Sequence, residues 1–396
     1  MSLTLQLPQA DGRLRQYTMR ATPPIAPAAP GTRFNRVAYS AAHVVADPLA
    51  AVDPWLKCAV DWDATIAYRQ RLWAMGLGVA EAMDTAQRGM GLDWPTSLEL
   101  IRHSLDAARH TPGALVASGC GTDHLVLDDV RRVDDVIEAY EMQMAAIEAL
   151  GGKLIVMASR ALARVARSPA DYERVYNRVL RQAREPVILH WLGDMFDPAL
   201  KGYWGNADAD RAMDTALAVI DANPGKVDGI KISLLDKRKE IAMHRRLPPG
   251  VRMYTGDDFN YAELIAGDGA GSSVNQRQSD ALLGIFDAIA PAASAALGAL
   301  AAGDAARFHA LLAPTVPLSR HIFQAPTRFY KTGVVFMAWI NGHQSHFTMV
   351  GGQQSTRSLV HLAELFRLAD AAGLIEQPEL AARRMRHLLA VHGVGD

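Results

Sequence analysis

The sequence predicts an α/β chain built on a (β/α)8 TIM barrel, with a helical extension at its C-terminal end. Three observations carry that prediction. Short apolar runs alternate with amphipathic stretches, the signature of repeated strand–helix units around a parallel sheet. Eight such runs can be picked out, over roughly 240 residues, the usual size of such a barrel. Beyond Asn275 the runs give way to long stretches of helical periodicity.

The first strand is expected at residues 36–40. Residues 62–75 then read as a helix with Ile66, Leu72 and Trp73 facing inward. A second strand over 75–80 is interrupted by Gly76 and Gly78, which give a strand nothing to pack. Asp93-Trp94-Pro95 begins a helix, since proline is tolerated in a first turn. That helix should end near His110, before Pro112. Residues 113–118 form the third strand, followed by Gly119-Cys120-Gly121. Over 133–150, Ile137, Tyr140, Met144 and Ile147 recur at spacings of three and four, one helical face. Lys-Leu-Ile-Val-Met-Ala at 153–158 is the fourth strand. Ser168 with Asp171 makes a capping-box-like start to a helix bearing Tyr172, Val175 and Val179 on one side. Strands five to seven are expected at 186–190, 228–232 and 251–255, and a glycine-rich eighth at 269–274. Helices should follow at 279–297, 306–321, 358–372 and 377–392. The expected organisation is an irregular segment over 1–32, rich in Ala and Pro from Met19 to Gly31, a barrel over 33–276 and a helical domain over 277–396.

Composition narrows the function. The 396 residues carry a formal net charge of −1, so no basic field invites nucleic acid. Two cysteines, Cys58 and Cys120, fit a reducing compartment better than a disulfide scaffold. No apolar run approaches the ~20 residues of a membrane span, and the N-terminus lacks the order of a signal peptide. A cytoplasmic enzyme acting on a small molecule is the expectation, with no nucleic-acid or membrane partner.

The segment Val227-Asp228-Gly229-Ile230-Lys231-Ile232-Ser233 is the most informative. Neighbours in a strand point to opposite faces. If Ile230 and Ile232 face the helices, then Gly229, Lys231 and Ser233 face the barrel interior. A lysine in a dry interior is disfavoured as the cation, and its neutral amine can attack a carbonyl. The residues alone leave a second reading open, a lysine at a strand end that is solvated or paired with an acid.

Gly229-Ile230-Lys231, then Thr255-Gly256-Asp257-Asp258, then Gly267-Asp268-Gly269-Ala270-Gly271-Ser272-Ser273-Val274-Asn275 resemble the dihydrodipicolinate synthase / N-acetylneuraminate lyase superfamily, in a divergent form. The resemblance is strongest over 186–275. It implies a homodimeric or homotetrameric barrel without metal or organic cofactor, in which a lysine forms an imine with a keto acid or keto sugar. Carried over, the imine falls on Lys231, and Gly256, Asp257 and Ser272 belong to segments that line the substrate. The family's fifth strand ends in a proton-relaying tyrosine; His190 stands there in this chain, either a proton carrier with a reference pKa near 6.5 or a hydrogen-bonded core histidine. The family's second-strand loop holds the substrate carboxylate through two hydroxyls. The stretch 78–83 has neither; Ser118, Gly119 and Cys120 could supply amides of a glycine-rich turn instead, or belong to a plain tight turn. Arg160, at the end of the fourth strand, could clamp a carboxylate or phosphate, or pair on the surface. Of Asp257 and Asp258, at least one is expected to cap the next helix. Tyr203 and Trp204 either wall a sugar-sized pocket or pack in the core.

Two other classes compete. A metal-dependent barrel hydrolase or isomerase would draw on His190, Asp194, Asp257, His343 and His346, although His343-Gln344-Ser345-His346 sits in a glycine-flanked segment rather than on a regular helix. A non-catalytic barrel that binds a sugar or keto acid is the third, with no effector domain visible to support it.

Overall fold

The computed structural model describes residues 3–20, 22–267 and 278–394. Short buried runs become parallel strands because both of their faces are covered, one by the barrel interior and one by helices. After an N-terminal hairpin, β1 (Thr4–Pro8) and β2 (Leu14–Thr18), come β3 (Ala38–Ala41), β4 (Gly78–Glu81), β5 (Val116–Cys120), β6 (Lys153–Met157), β7 (Val187–Leu192), β8 (Val227–Ser233), β9 (Arg252–Thr255) and β10 (Asp280–Leu283). Strands β3 to β10 pair in sequence order and close, with β10 hydrogen-bonded to both β9 and β3. This is a (β/α)8 barrel. Tyr39, Ala80, Ala117, Ile155, Ile188, Tyr254 and Leu282 fill its inside, while Val79, Val156, Leu189 and Ile230 pack outward against the helices.

The helices that cover the barrel start where side-chain oxygens can take the free backbone N–H groups of a first turn. Asp61 caps α1 (Trp62–Ala74) and Asp93 caps α2 (Trp94–Arg109). Then come α3 (Val133–Ala149), α4 (Arg160–Val165) capped by Ser159, α5 (Pro169–Gln182), α6 (Ala209–Ala222) capped by Asp208, α7 (Lys237–Arg246) capped by Asp236, and α8 (Tyr261–Ala266). After the barrel come α9 (Ile285–Ala288), α10 (Ala290–Ala301), α11 (Ala305–Leu312), α12 (Thr315–Ile322), α13 (Tyr330–Ile340), α14 (Leu359–Ala371) and α15 (Pro378–Val391).

The structure differs from the sequence reading at several elements: the helix expected at 306–321 is divided into α11 and α12, α13 was not expected, and the closing strand and the N-terminus also differ. The strand that closes the barrel is Asp280–Leu283, in a stretch expected to begin a helix; the expected strand at 269–274 lies outside the described residues. Four residues are too few to show a period of two, and the apolar run continues into α9, so it reads as helical. Its position is held by Asp280, whose carboxylate accepts from Val37 N at 2.7 Å and from Arg252 at 2.7 Å. The first 32 residues are not irregular throughout. Leu5 and Leu7 are buried and alternate with exposed neighbours, and Tyr17 donates to Asp370 at 2.6 Å, so the hairpin is docked on α14. No helix among the described residues is long and apolar enough to cross a membrane.

Candidate active site

Side chains leaving the C-terminal ends of barrel strands converge at one mouth, where barrel active sites form. Lys231 and His190 are register partners on β8 and β7, so both project into the barrel. Lys231 is 7 % exposed. No described carboxylate makes a contact ion pair with it. Burial pushes its pKa down, while the more distant charges of Asp258 and Asp84 pull it back up. Asp258 is buried, accepts from Ile285 N at 2.9 Å, and is pushed up by burial to about 7, with Lys231 opposing the rise.

His190 is enclosed, with Nε2 3.3 Å from Ser233 Oγ. Burial first, and the adjacent Lys231 second, push its pKa well below the ordinary histidine value. It is therefore neutral at neutral pH. A group titrating near 6.5, as the sequence suggested, is not what this environment produces.

Above His190 opens a chamber of about 100 Å³, lined among others by Asp84, Arg88, Thr122, Asp123 and Arg160. Arg160 stands at its rim and pairs with Asp197. Gly119 faces inward, and a Cβ there would lie 2.7 Å from the Ala82 carbonyl. Its own carbonyl accepts from Arg88 at 2.9 Å, and Gly121 N donates to Gln143 at 2.7 Å. The amide at Gly121 thus already has an internal partner. By strand alternation Ser118 points to the helix side. Cys120 packs in the outer core with its thiol 3.8 Å from the Tyr140 carbonyl, and burial pushes that thiol's pKa up. Neither reaches the mouth. Gly256 does: a Cβ there would collide with the Ile232 carbonyl and the Ser233 hydroxyl, so only glycine lets β9 pass so close to the lysine strand. Asp257 accepts from Phe259 N at 2.8 Å and Asn260 N at 3.0 Å; it shapes the turn ahead of α8, whose N-cap position is Asn260 with no side-chain cap. The expected capping of the next helix by an aspartate is therefore not what forms, and Asp258 is the carboxylate that acts on Lys231. Ser272 lies outside the described residues.

Tyr203 and Trp204 are buried outside the barrel among Tyr172 and Tyr176, with the Tyr176 and Trp204 rings 4.5 Å apart; they pack rather than wall the chamber. The residues of the metal alternative are not brought together. His343 pairs with Glu376 at 3.0 Å and His346 Nδ1 accepts from Thr348 N at 3.1 Å. Among the described residues no three His, Cys, Asp or Glu side chains form a metal-holding group.

Sequence reasoning missed four residues at the mouth. Asp84 and Thr85 follow β4, and a search of every strand end would have found them. Tyr330 and Lys331 come from α13. Tyr330 meets Thr85 hydroxyl to hydroxyl at 2.8 Å, and Lys331 is 4 % exposed. No local pattern ties a residue of the tail to the barrel mouth.

A family model described as a protein of unknown function, DUF993, matches residues 5–394. The chain belongs to that family. No curated protein matches the chain. Solved structures give this DUF993 chain its relatives in fold. The 4-hydroxy-tetrahydrodipicolinate synthase of Methylacidiphilum fumariolicum SolV is 14% identical with a TM-score of 0.63, over 89% of this chain and 99% of that one. YagE of E. coli K12, a prophage protein of the dihydrodipicolinic acid synthase family solved with pyruvate, is 14% identical with a TM-score of 0.62, over 92% and 100%. Dihydrodipicolinate synthase of Aquifex aeolicus is 12% identical with a TM-score of 0.59, over 91% and 98%. The resemblance read from the sequence therefore holds for fold along most of the chain, in a divergent form.

Proposed function

We propose that this DUF993 protein is a class I lyase or aldolase that forms a Schiff base between Lys231 and a 2-oxo acid or sugar-derived keto compound. One observation carries the reading: Lys231 is buried at the mouth of the barrel, on its inner face, with no contact ion pair among the described residues to hold it as the cation. Such an amine is neutral more often than a solvated one. The solved structures of like fold, one of them holding pyruvate, support the same class.

The chemistry runs as follows. The neutral amine of Lys231 adds to the carbonyl carbon, and loss of water gives an iminium. To cleave a carbon–carbon bond, the β-hydroxyl loses its proton, the bond between the α and β carbons breaks, its electron pair moves into the iminium to give an enamine, and the other fragment leaves as a carbonyl compound. To cleave a carbon–oxygen bond, the α carbon loses its proton to give the enamine, which expels the β-hydroxyl as water. Protonation of the enamine carbon and hydrolysis return the free lysine. Neutral His190 beside the amine accepts and returns the protons, and Asp258, poised near neutrality, offsets the charge on the iminium. Arg160 at the rim meets an anionic part of the substrate. The protein works in the cytoplasm as a homodimer or homotetramer, and its partner is the small molecule alone.

Reductive trapping tests this. Borohydride is added with a panel of 2-oxo acids and keto sugars, the product is read by intact mass, and the site is read by peptide mapping. A reduced adduct on Lys231 is expected. An adduct elsewhere, or none with any member of the panel, rejects the reading.

A further inference from the structure

Lys331, the second residue of α13, has no role in the scheme above, yet it is buried with no carboxylate in contact among the described residues, and Asp84 and Asp197 favour its charge only from a distance. Its Nζ donates to the Arg328 carbonyl at 3.1 Å, lies 3.4 Å from Met90 Sδ, and stands 4.7 Å from the centre of the Tyr330 ring. None of these carries a negative charge, and no described carboxylate forms an ion pair with it. Lysines are almost never buried unless paired, and leaving one unpaired in a dry site is costly. The two arginines of the chamber are matched, Arg88 with Asp123 and Arg160 with Asp197. Lys331 has no such contact partner among the described residues.

Its place in the fold says where a partner would come from. Met90, which touches the ammonium, follows Gly89 on the chamber wall, and a Cβ on Gly89 would lie 2.9 Å from Arg160 Nη1. Lys331 and Arg160 therefore flank the same turn. Burial lowers the Lys331 pKa to about 8, which leaves it mostly protonated at neutral pH. It is a binding cation rather than a free amine under those conditions.

We propose that Lys331, with Arg160, forms an oxyanion subsite for the end of the substrate remote from the carbonyl. Resting on the Schiff-base reading, this names the substrate class: keto compounds that carry a second anion, a carboxylate or a phosphate, spaced from the carbonyl by the depth of the chamber. The neighbouring Asp84, to whose carboxylate no described group donates, faces the same space and suits hydroxyls between the two ends.

Binding of analogues that have no carbonyl tests the subsite without any imine. Calorimetry would compare 2-hydroxyglutarate with lactate, and 6-phosphogluconate with gluconate, on wild type, Lys331→Met and Lys331→Arg. Wild type is expected to favour one doubly charged member over its control by at least ten-fold, and which pair does so tells carboxylate from phosphate. Lys331→Met should erase the preference and Lys331→Arg should keep most of it. No preference in wild type, or a preference that survives Lys331→Met, overturns the subsite. Should Lys331→Met fail to fold, Arg160→Gln carries the same comparison, since that side chain is 37% exposed. A positive result here beside failed borohydride trapping would leave the subsite standing and reject the Lys231 reading, so the two are separable.

Discussion

His190 and Lys231 are paired side by side across β7 and β8, with the imidazole also 3.3 Å from the Ser233 hydroxyl of the lysine strand. A cation and an imidazole on one dry face do not both stay protonated. Lys231 keeps two distant carboxylates in its favour, whereas His190 has none and is the one held neutral.

Lys231→Ala is therefore expected to abolish turnover and borohydride trapping while leaving the melting temperature near that of wild type, because removing a buried charge without a contact partner breaks no ion pair. A variant that still turns over at near the wild-type rate would remove the imine from the mechanism.

His190→Phe should lower turnover by roughly 100-fold or more, the usual worth of a positioned proton carrier. Since His190 is already neutral at neutral pH, its loss takes no charge away from Lys231. The acid limb of the kcat–pH profile should therefore keep its midpoint. A limb that shifts or vanishes in the variant would mean that His190 itself titrates there.

Asp258→Asn acts in the opposite way. The carboxylate stabilises the Lys231 cation from a distance, and its own pKa sits near 7. Without it the amine loses its proton more easily, so the acid limb of imine formation should move to lower pH. The rate of trapping against pH measures this. A limb that stays in place or moves to higher pH would show that Asp258 does not hold the lysine's proton.

The sequence made the barrel legible where strands were long or strongly apolar. The run at 153–158 and the Gly-Ile-Lys strand needed only alternation. It hid β10, a four-residue strand running directly into a helix. At the site, the inward direction of Lys231 and His190 was legible from alternation along β8 and β7, and Gly256 and Arg160 were legible as residues that follow β9 and β6. Ser118 and Cys120 were named for their backbone amides, and alternation sends both side chains toward the helices. Lys331 and Tyr330 were illegible, since a helix of the tail brings them back to the barrel mouth through tertiary packing alone.

Glu240 gives a test of stability rather than activity. It sits on α7, buried, with Thr255 donating to it at 2.9 Å and Ser279 at 3.4 Å, and burial pushes its carboxyl up to about 8. The unfolded chain would release that proton near pH 4.3. Between those two values the folded state binds more protons than the unfolded one, so stability falls as pH rises through that window. The loss is at most roughly 1.4 kcal/mol for each pH unit crossed. Glu240→Gln keeps an amide for the two hydroxyls and removes the titration. Its melting temperature should therefore change less than that of wild type between about pH 5 and about pH 8. Thermal unfolding across that range decides the matter: parallel curves for the two proteins would show that Glu240 is ionised in the folded chain.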